Sequence, residues 1–169
     1  MKYEIKEMEA SDWEQVKNIY LEGIKTRIAT FQSESDLPSW EKWNQDHISS
    51  CRLVATLNSE ILGWAALSPT SKRPVYSGVA EISIYIKKQC SGHGVGTELL
   101  NKIAAVSEKN GFWTLQSGII RENTASIELH KKCGFRVIGI REKLGKMENG
   151  IWHDVVLMER RSKVVGIND

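Results

Sequence analysis

Glu81-Ile82-Ser83-Ile84-Tyr85-Ile86, followed by Gln89-Cys90-Ser91-Gly92-His93-Gly94-Val95-Gly96, decides the fold. The first run is short, β-branched and aromatic, with neither Pro nor Gly, and it predicts a strand. The second run places glycine at 92, 94 and 96 and leads straight into Thr97-Glu98-Leu99-Leu100. From there Leu99, Leu100, Ile103 and Val106 share one side of a helix. A strand thus ends in a glycine-rich turn at a helix N-terminus. The first amides of a helix lack intrahelical acceptors and the dipole is positive there, so such a turn attracts anions. Glycine also lets a phosphate come close to the backbone.

Working outward, Tyr3 to Met8 predicts a first strand, and Ser11-Asp12-Trp13-Glu14 an N-cap opening a helix through Val16, Ile19, Tyr20 and Ile24. Thr26 to Pro38 is polar and irregular, as expected of a loop that shapes a pocket. Trp40 to Ile48 suits a second helix, and Arg52 to Leu57 with Ile61 to Leu67 a hairpin around Asn58-Ser59-Glu60. Lys72 to Gly78 is turn-rich, and Val79 to Ile86 is the central strand. Gly96 to Lys109 predicts a helix stopped by Asn110-Gly111, and Trp113 to Ile120 a strand. Asn123-Thr124 caps a short helix closed by Gly134. Phe135 to Ile140 and His153 to Arg160 predict the last strands, joined by a loop holding Gly145 and Asn149-Gly150. The order βααβββαβαββ gives an α/β (α+β) fold around a mostly antiparallel central sheet flanked by helices.

The 169 residues are expected to form one domain over 1–160, with 161–169 a flexible C-terminal tail. Hydrophobic residues make up 41% and charged residues 26%, the balance of a soluble globular protein. A net charge of +2 gives no electrostatic case for nucleic acid. The three cysteines, Cys51, Cys90 and Cys133, are far apart and odd in number, which disfavours a disulfide framework or a zinc ribbon and fits a reducing compartment. No secretory signal and no membrane-spanning run is read, so no membrane partner is expected and the cytoplasm is the expected location. Six Trp raise the odds of a pocket or an interface.

The glycine turn admits three readings. A dinucleotide fingerprint would need a third glycine where Thr97 stands. A Walker A loop would need Gly-Lys-Ser/Thr, which is absent. A flexible connector with no ligand is the bland alternative, and the strand, turn and helix context favours phosphate over it. Gln89-x-x-Gly92-x-Gly94-Val95-Gly96 resembles the acetyl-CoA pyrophosphate loop of the GNAT superfamily of N-acetyltransferases. Ala80 to Ile86, Asn123-Thr124-Ala125-Ser126, Leu129-His130-Lys131-Lys132-Cys133-Gly134-Phe135 and Gly150-Ile151-Trp152-His153-Asp154 are similar to its phosphinothricin/methionine sulfoximine branch. Thr30-Phe31-Gln32-Ser33-Glu34 resembles a T-F-x-T-E segment of that branch, with Ser33 in place of the usual Thr.

The resemblance implies the GNAT fold, with the sheet splayed between its two central strands. It implies acetyl-CoA as co-substrate, a small amino-acid-like amine as acceptor, direct acetyl transfer and no metal. The pantetheine arm would pair with backbone of Ile84, Tyr85 and Ile86 like an added strand. The pyrophosphate would sit on Gly92, His93, Gly94, Val95, Gly96 and Thr97, with Gln89, Asn123 and Ser126 completing the cofactor site. Glu81 matches a general base that relieves the amine of its proton, and its bland alternative is a solvent-facing strand carboxylate. His130 would protonate the departing thiolate or assist deprotonation, or be a structural histidine. Arg73, with Lys72, matches a substrate-binding basic residue suited to a carboxylate, with a solvated loop cation as its bland alternative; Phe31 and Trp64 would wall the pocket or simply belong to the core. Cys90, beside the anion site, invites a less favoured acetyl-cysteine route. A peptide or protein N-terminal acetyltransferase and a non-catalytic acyl-CoA-binding module are the rival functions. The branch resemblance and the six Trp lead to the expectation of a homodimer.

Overall fold

The computed structural model describes residues 2–168. Its elements run β1 (Glu4–Glu7), α1 (Trp13–Lys25), α2 (Trp40–Asp46), β2 (Arg52–Leu57), β3 (Glu60–Pro69), β4 (Val79–Ile86), α3 (Val95–Lys109), β5 (Thr114–Ile120), α4 (Thr124–Lys132), β6 (Arg136–Lys146) and β7 (Trp152–Arg161). The seven strands form one sheet in the order β1-β2-β3-β4-β5-β7-β6. Every neighbouring pair is antiparallel except β4 with β5. The expected element order and the mostly antiparallel sheet are both present.

Both faces of the sheet are covered, which is why β2 and β3 read as near-continuous apolar runs. On one face α1 and α2 bury Trp13, Val16 and Trp43 against Val54, Trp64 and Ala66. On the other, α3 buries Leu99, Leu100 and Ile103 against Leu53, Leu67, Ile82 and Met158. Leu99 and Leu100 are fully buried, so cutting either to alanine should cost about 2–5 kcal/mol. The β2–β3 hairpin closes on Asn58 and Ser59 at φ 49° and 70°, the two-residue geometry whose twist matches the strands.

Four boundaries differ from the sequence reading. Ser11 does not cap α1, because it lies inside a single 3₁₀ turn over Ala10–Asp12. There the Glu9 amide donates to the Asp12 carboxylate at 2.9 Å instead. α2 ends at Asp46 rather than Ile48. β6 continues past Ile140 to Lys146, so Gly145 belongs to a strand and not to the connecting loop. The segment after residue 160 is also more ordered than a free tail. Arg161 ends β7, and its guanidinium donates to the carbonyls of Ser162, Val165 and Gly166 at 2.9 Å. Asp169 lies outside the described residues.

Candidate active site

β4 and β5 pair only through Val79↔Thr114, Ala80↔Leu115 and Glu81↔Gln116. Beyond Glu81 they diverge, while β3 stays paired with β4 as far as Ile86. One edge of β4 from Ile82 to Ile86 therefore has no strand partner and borders a cleft of about 580 Å³. Side chains alternate along β4. Ile82, Ile84 and Ile86 pack on the α3 side, whereas Tyr85 packs on the α1 side, the face shared by Glu81 and Ser83.

The glycine turn follows β4. A 3₁₀ turn over Lys88–Cys90 leads to Gly92 at φ 80° and Gly94 at φ 84°, a left-handed conformation natural to glycine. α3 begins at Val95, and its first recorded capping bond runs from the Glu98 amide to the Gly94 carbonyl at 3.1 Å. The amides of Val95, Gly96 and Thr97 precede that bond and are the orphan donors of a helix start. A Cβ at Gly92 or Gly94 would meet no atom within 4 Å, so the space outside this backbone is open. At Gly96 it would lie 3.2 Å from Leu129, so this glycine seats α4 against α3. His93 Nδ1 donates to the Ser91 carbonyl at 3.0 Å, leaving the ring at the exposed mouth of the turn. Cys90, in contrast, is buried in a small core with Ala55, Leu62 and Val95, which withdraws its thiol from the anion site.

Glu81 opens onto the cleft, yet the surrounding walls displace much of its water. That desolvation raises its pKa above the ordinary carboxylate value, while a hydrogen bond from Gln116 opposes the shift. Across the gap stands the start of α4. Asn123 Oδ1 accepts from the Ser126 amide at 3.3 Å, a helix cap that leaves the Asn123 amide nitrogen for other partners.

His130 lines the same cleft but is almost fully buried. Its Nδ1 sits 2.7 Å from the Ser126 carbonyl. A carbonyl only accepts, so Nδ1 carries the hydrogen and Nε2 presents a lone pair; Nε2 has no protein partner. Burial lowers the pKa of His130 more than the Ser126 bond raises it. In this tautomer Nε2 can take a proton but has none to give, an arrangement that suits assisting deprotonation or a structural role better than protonating the thiolate. The same shift has a consequence for stability. The unfolded chain takes up a proton near pH ~6.5 that the folded ring resists, so stability should fall as pH drops through that range. His47, also lowered by burial, adds to the slope, and His130→Gln should flatten part of it in thermal melts between pH 7 and 5.

Phe31 lines the cleft from the α1–α2 connection. Its ring packs directly over Gly145, where any Cβ would collide with it, and edge-on to His153 at 6.3 Å between centroids. Gly145→Val should expel the ring and raise the acceptor KM about tenfold, read from steady-state kinetics, because misplacement on the order of 1 Å can cost ~10²-fold. Trp64 is no wall of this cleft. It is 1% exposed and stacks under Tyr85 at 5.0 Å, its cross-strand partner.

Lys72 and Arg73 are not brought to the cleft. Both are exposed in the β3–β4 connection, and the Arg73 guanidinium lies over the Tyr76 ring at 5.4 Å. The cleft's cation is Arg141 of β6, which sequence reasoning missed. The signal lay in a strand that runs past Ile140, and nothing local to Arg141 marks that continuation. No group of three or more metal-ligating side chains occurs among the described residues, and no helix among them is long and apolar enough to cross a membrane.

The family described as an acetyltransferase (GNAT) domain matches residues 5–157. A phosphinothricin N-acetyltransferase of Streptomyces coelicolor is 27% identical over 155 residues, spanning 88% of this chain and 90% of that protein. An L-methionine sulfoximine/L-methionine sulfone acetyltransferase of Pseudomonas aeruginosa is 29% identical over 100 residues, 59% of this chain and 58% of that protein. A crystal structure of a GNAT superfamily phosphinothricin acetyltransferase from Sinorhizobium meliloti in complex with acetyl-CoA superposes with a TM-score of 0.87 at 25% identity. It covers 100% of this chain and 93% of that one.

Proposed function

This chain belongs to the GNAT family of acetyltransferases, and we propose that it moves the acetyl group of acetyl-CoA directly onto the amino group of a small amino-acid-like compound of the phosphinothricin or methionine sulfoximine type. The observation that carries the reading is the parting of β4 from β5 directly beyond Glu81 and just before the glycine turn. One stretch of chain thus supplies an anion site, an unpaired strand edge and a carboxylate.

The diphosphate of acetyl-CoA binds the amides between Gly92 and Thr97, with Gln89 and His93 at the mouth of the turn. The pantetheine arm pairs with the open edge at Ile84, Tyr85 and Ile86, and Asn123 and Ser126 meet it from α4. The acceptor enters from the face that carries Glu81 and Phe31. Its ammonium loses a proton to Glu81, directly or through water. The freed nitrogen attacks the thioester carbon, and an unpaired amide of β4 stabilises the oxyanion. The carbon–sulfur bond then breaks, the nitrogen of the new amide gives its second proton to water, and coenzyme A leaves as thiolate, taking its proton from solvent. Burial of Cys90 in the core favours this single-step route over an acetyl-cysteine.

Incubation with acetyl-CoA and a panel of amino acids, phosphinothricin and methionine sulfone should release coenzyme A and give the N-acetyl product by mass spectrometry. Cofactor binding without transfer to any amine would refute the enzyme reading; faster acetylation of a short peptide would move the acceptor class. The reading also places the protein in the cytoplasm, in keeping with its three free, buried cysteines. It pairs two copies through the unpaired side of β6, where Val137, Ile138 and Ile140 are exposed. Sedimentation would give twice the chain mass if so, and a single chain mass if not.

A further inference from the structure

β7 opens with Trp152-His153-Asp154, a segment that the transfer chemistry above does not use. Side chains alternate along a strand, so His153 shares a face with Val155 and Leu157, both of which line the cleft. His153 is the next position on that face, level with Gly145 of β6, and it is buried. It does not itself line the cleft. Phe31 does, with its ring over Gly145 and edge-on to His153, 6.3 Å between centroids. Phe31 also lines a second cavity of about 70 Å³, together with Ile24, Arg27 and Met147. The ring thus borders open space on more than one side, and its neighbours must fix its place.

His153 is itself anchored. Its Nδ1 lies 2.9 Å from the Glu122 carboxylate, which accepts, so Nδ1 carries the hydrogen. That bond is the first cause holding the Glu122 carboxyl below the ordinary carboxylate range. The next residue of β7 grips the same connection. The Arg121 amide donates to the Asp154 carbonyl at 3.0 Å, and its guanidinium to the Asp154 carboxylate at 2.9 Å. Asp154 also accepts from the Lys143 amide at 2.8 Å. This pins a bulge between Arg141 and Gly145, where the register of β6 shifts by two residues against β7. Arg121 and Glu122 run directly into Asn123, the cap of α4. Two consecutive residues of β7 therefore tie the β5–α4 connection to the strands on which Phe31 rests.

We propose that His153, tethered by Glu122, is the positioning residue that holds the Phe31 ring against the cleft and so sets acceptor affinity. The proposal rests on the acetyltransferase reading above, in which Phe31 walls the acceptor site. An imidazole suits the task because one nitrogen is anchored by a charge-assisted hydrogen bond while the ring packs on a second aromatic. Contact with Gly145 alone leaves Phe31 free to slide toward the second cavity, and the tether removes that freedom.

Fluorine NMR and kinetics test the tether together. The chain has three phenylalanines, so fluorophenylalanine labelling gives three resonances, and Phe31→Leu identifies the one from Phe31. Glu122 is exposed, so Glu122→Ala spares the core even if His153→Leu does not. Both variants should shift or split the Phe31 resonance. Glu122→Gln keeps an oxygen to accept from Nδ1 and should leave it in place. In steady-state kinetics Glu122→Ala and His153→Leu should raise the KM for methionine sulfone about tenfold, with kcat and the acetyl-CoA KM changed less than about twofold. Glu122→Gln should recover most of that loss. In a Phe31→Ala background His153→Leu should add less than about twofold, because the ring it positions is gone. An unmoved Phe31 resonance in Glu122→Ala, a KM loss undiminished in the Phe31→Ala background, or an equal rise in the acetyl-CoA KM would overturn the proposal. A resonance that moves in Glu122→Ala but not in Glu122→Gln, in a chain that acetylates no amine, would uphold the tether and refute the enzyme reading instead.

Discussion

Replacing Glu81 by Gln should lower kcat/KM by about 10²–10⁴-fold, the usual worth of a positioned general base. Acetyl-CoA affinity should be unchanged, since Glu81 faces away from the side on which Ile84 and Ile86 pack. The pH profile separates this from a merely structural loss. Desolvation raises the Glu81 pKa, so wild-type activity should fall as pH drops through a range above the ordinary carboxylate value. Below it the carboxyl is protonated and cannot accept. Glu81→Gln should lose that limb and keep only a rise with pH that follows the amine itself. An unaltered rate, or a profile of the same shape in wild type and variant, would remove Glu81 from the proton path.

Gly94→Val should weaken acetyl-CoA binding by about 10–100-fold in calorimetry. Two costs act together. A left-handed residue bearing a Cβ pays roughly 1–2 kcal/mol, and a β-branched side chain pays at the upper end. The methyl groups also enter the open space beside the first amides of α3, which a phosphate would need. The fold should tolerate the change better than the ligand does, because a Cβ there meets no protein atom. Equal affinity in wild type and variant would place the diphosphate elsewhere. Gly96→Ala makes a useful contrast, because its Cβ would press on Leu129 and report on α3–α4 packing instead.

Much of this was legible because it is local. Strand β4, the glycine turn and α3 each carry their own period and punctuation, and Asn123 announces itself as a cap. Burial and long-range register are not local. Trp64 has the composition of a pocket wall and the position of a core residue, a difference set by Trp43, Tyr20 and Tyr85 packing on it. Arg73 sits in a loop with the chemistry of a clamp, but its guanidinium lies over Tyr76 and is not among the residues that line the cleft. Arg141 reaches the cleft through a bulge fixed by Asp154, thirteen positions further along the chain. The hydrogen on His130 Nδ1 follows from one carbonyl distance that no sequence pattern encodes.

The parting of β4 from β5 after three paired residues also bears on the order of events. If the proposed sites hold, nucleotide and amine would approach the reacting carbon from opposite sides of one sheet, and neither would have to vacate a shared doorway for the other. Initial-rate lines at varied concentrations of both partners should intersect rather than run parallel, the signature of a ternary encounter.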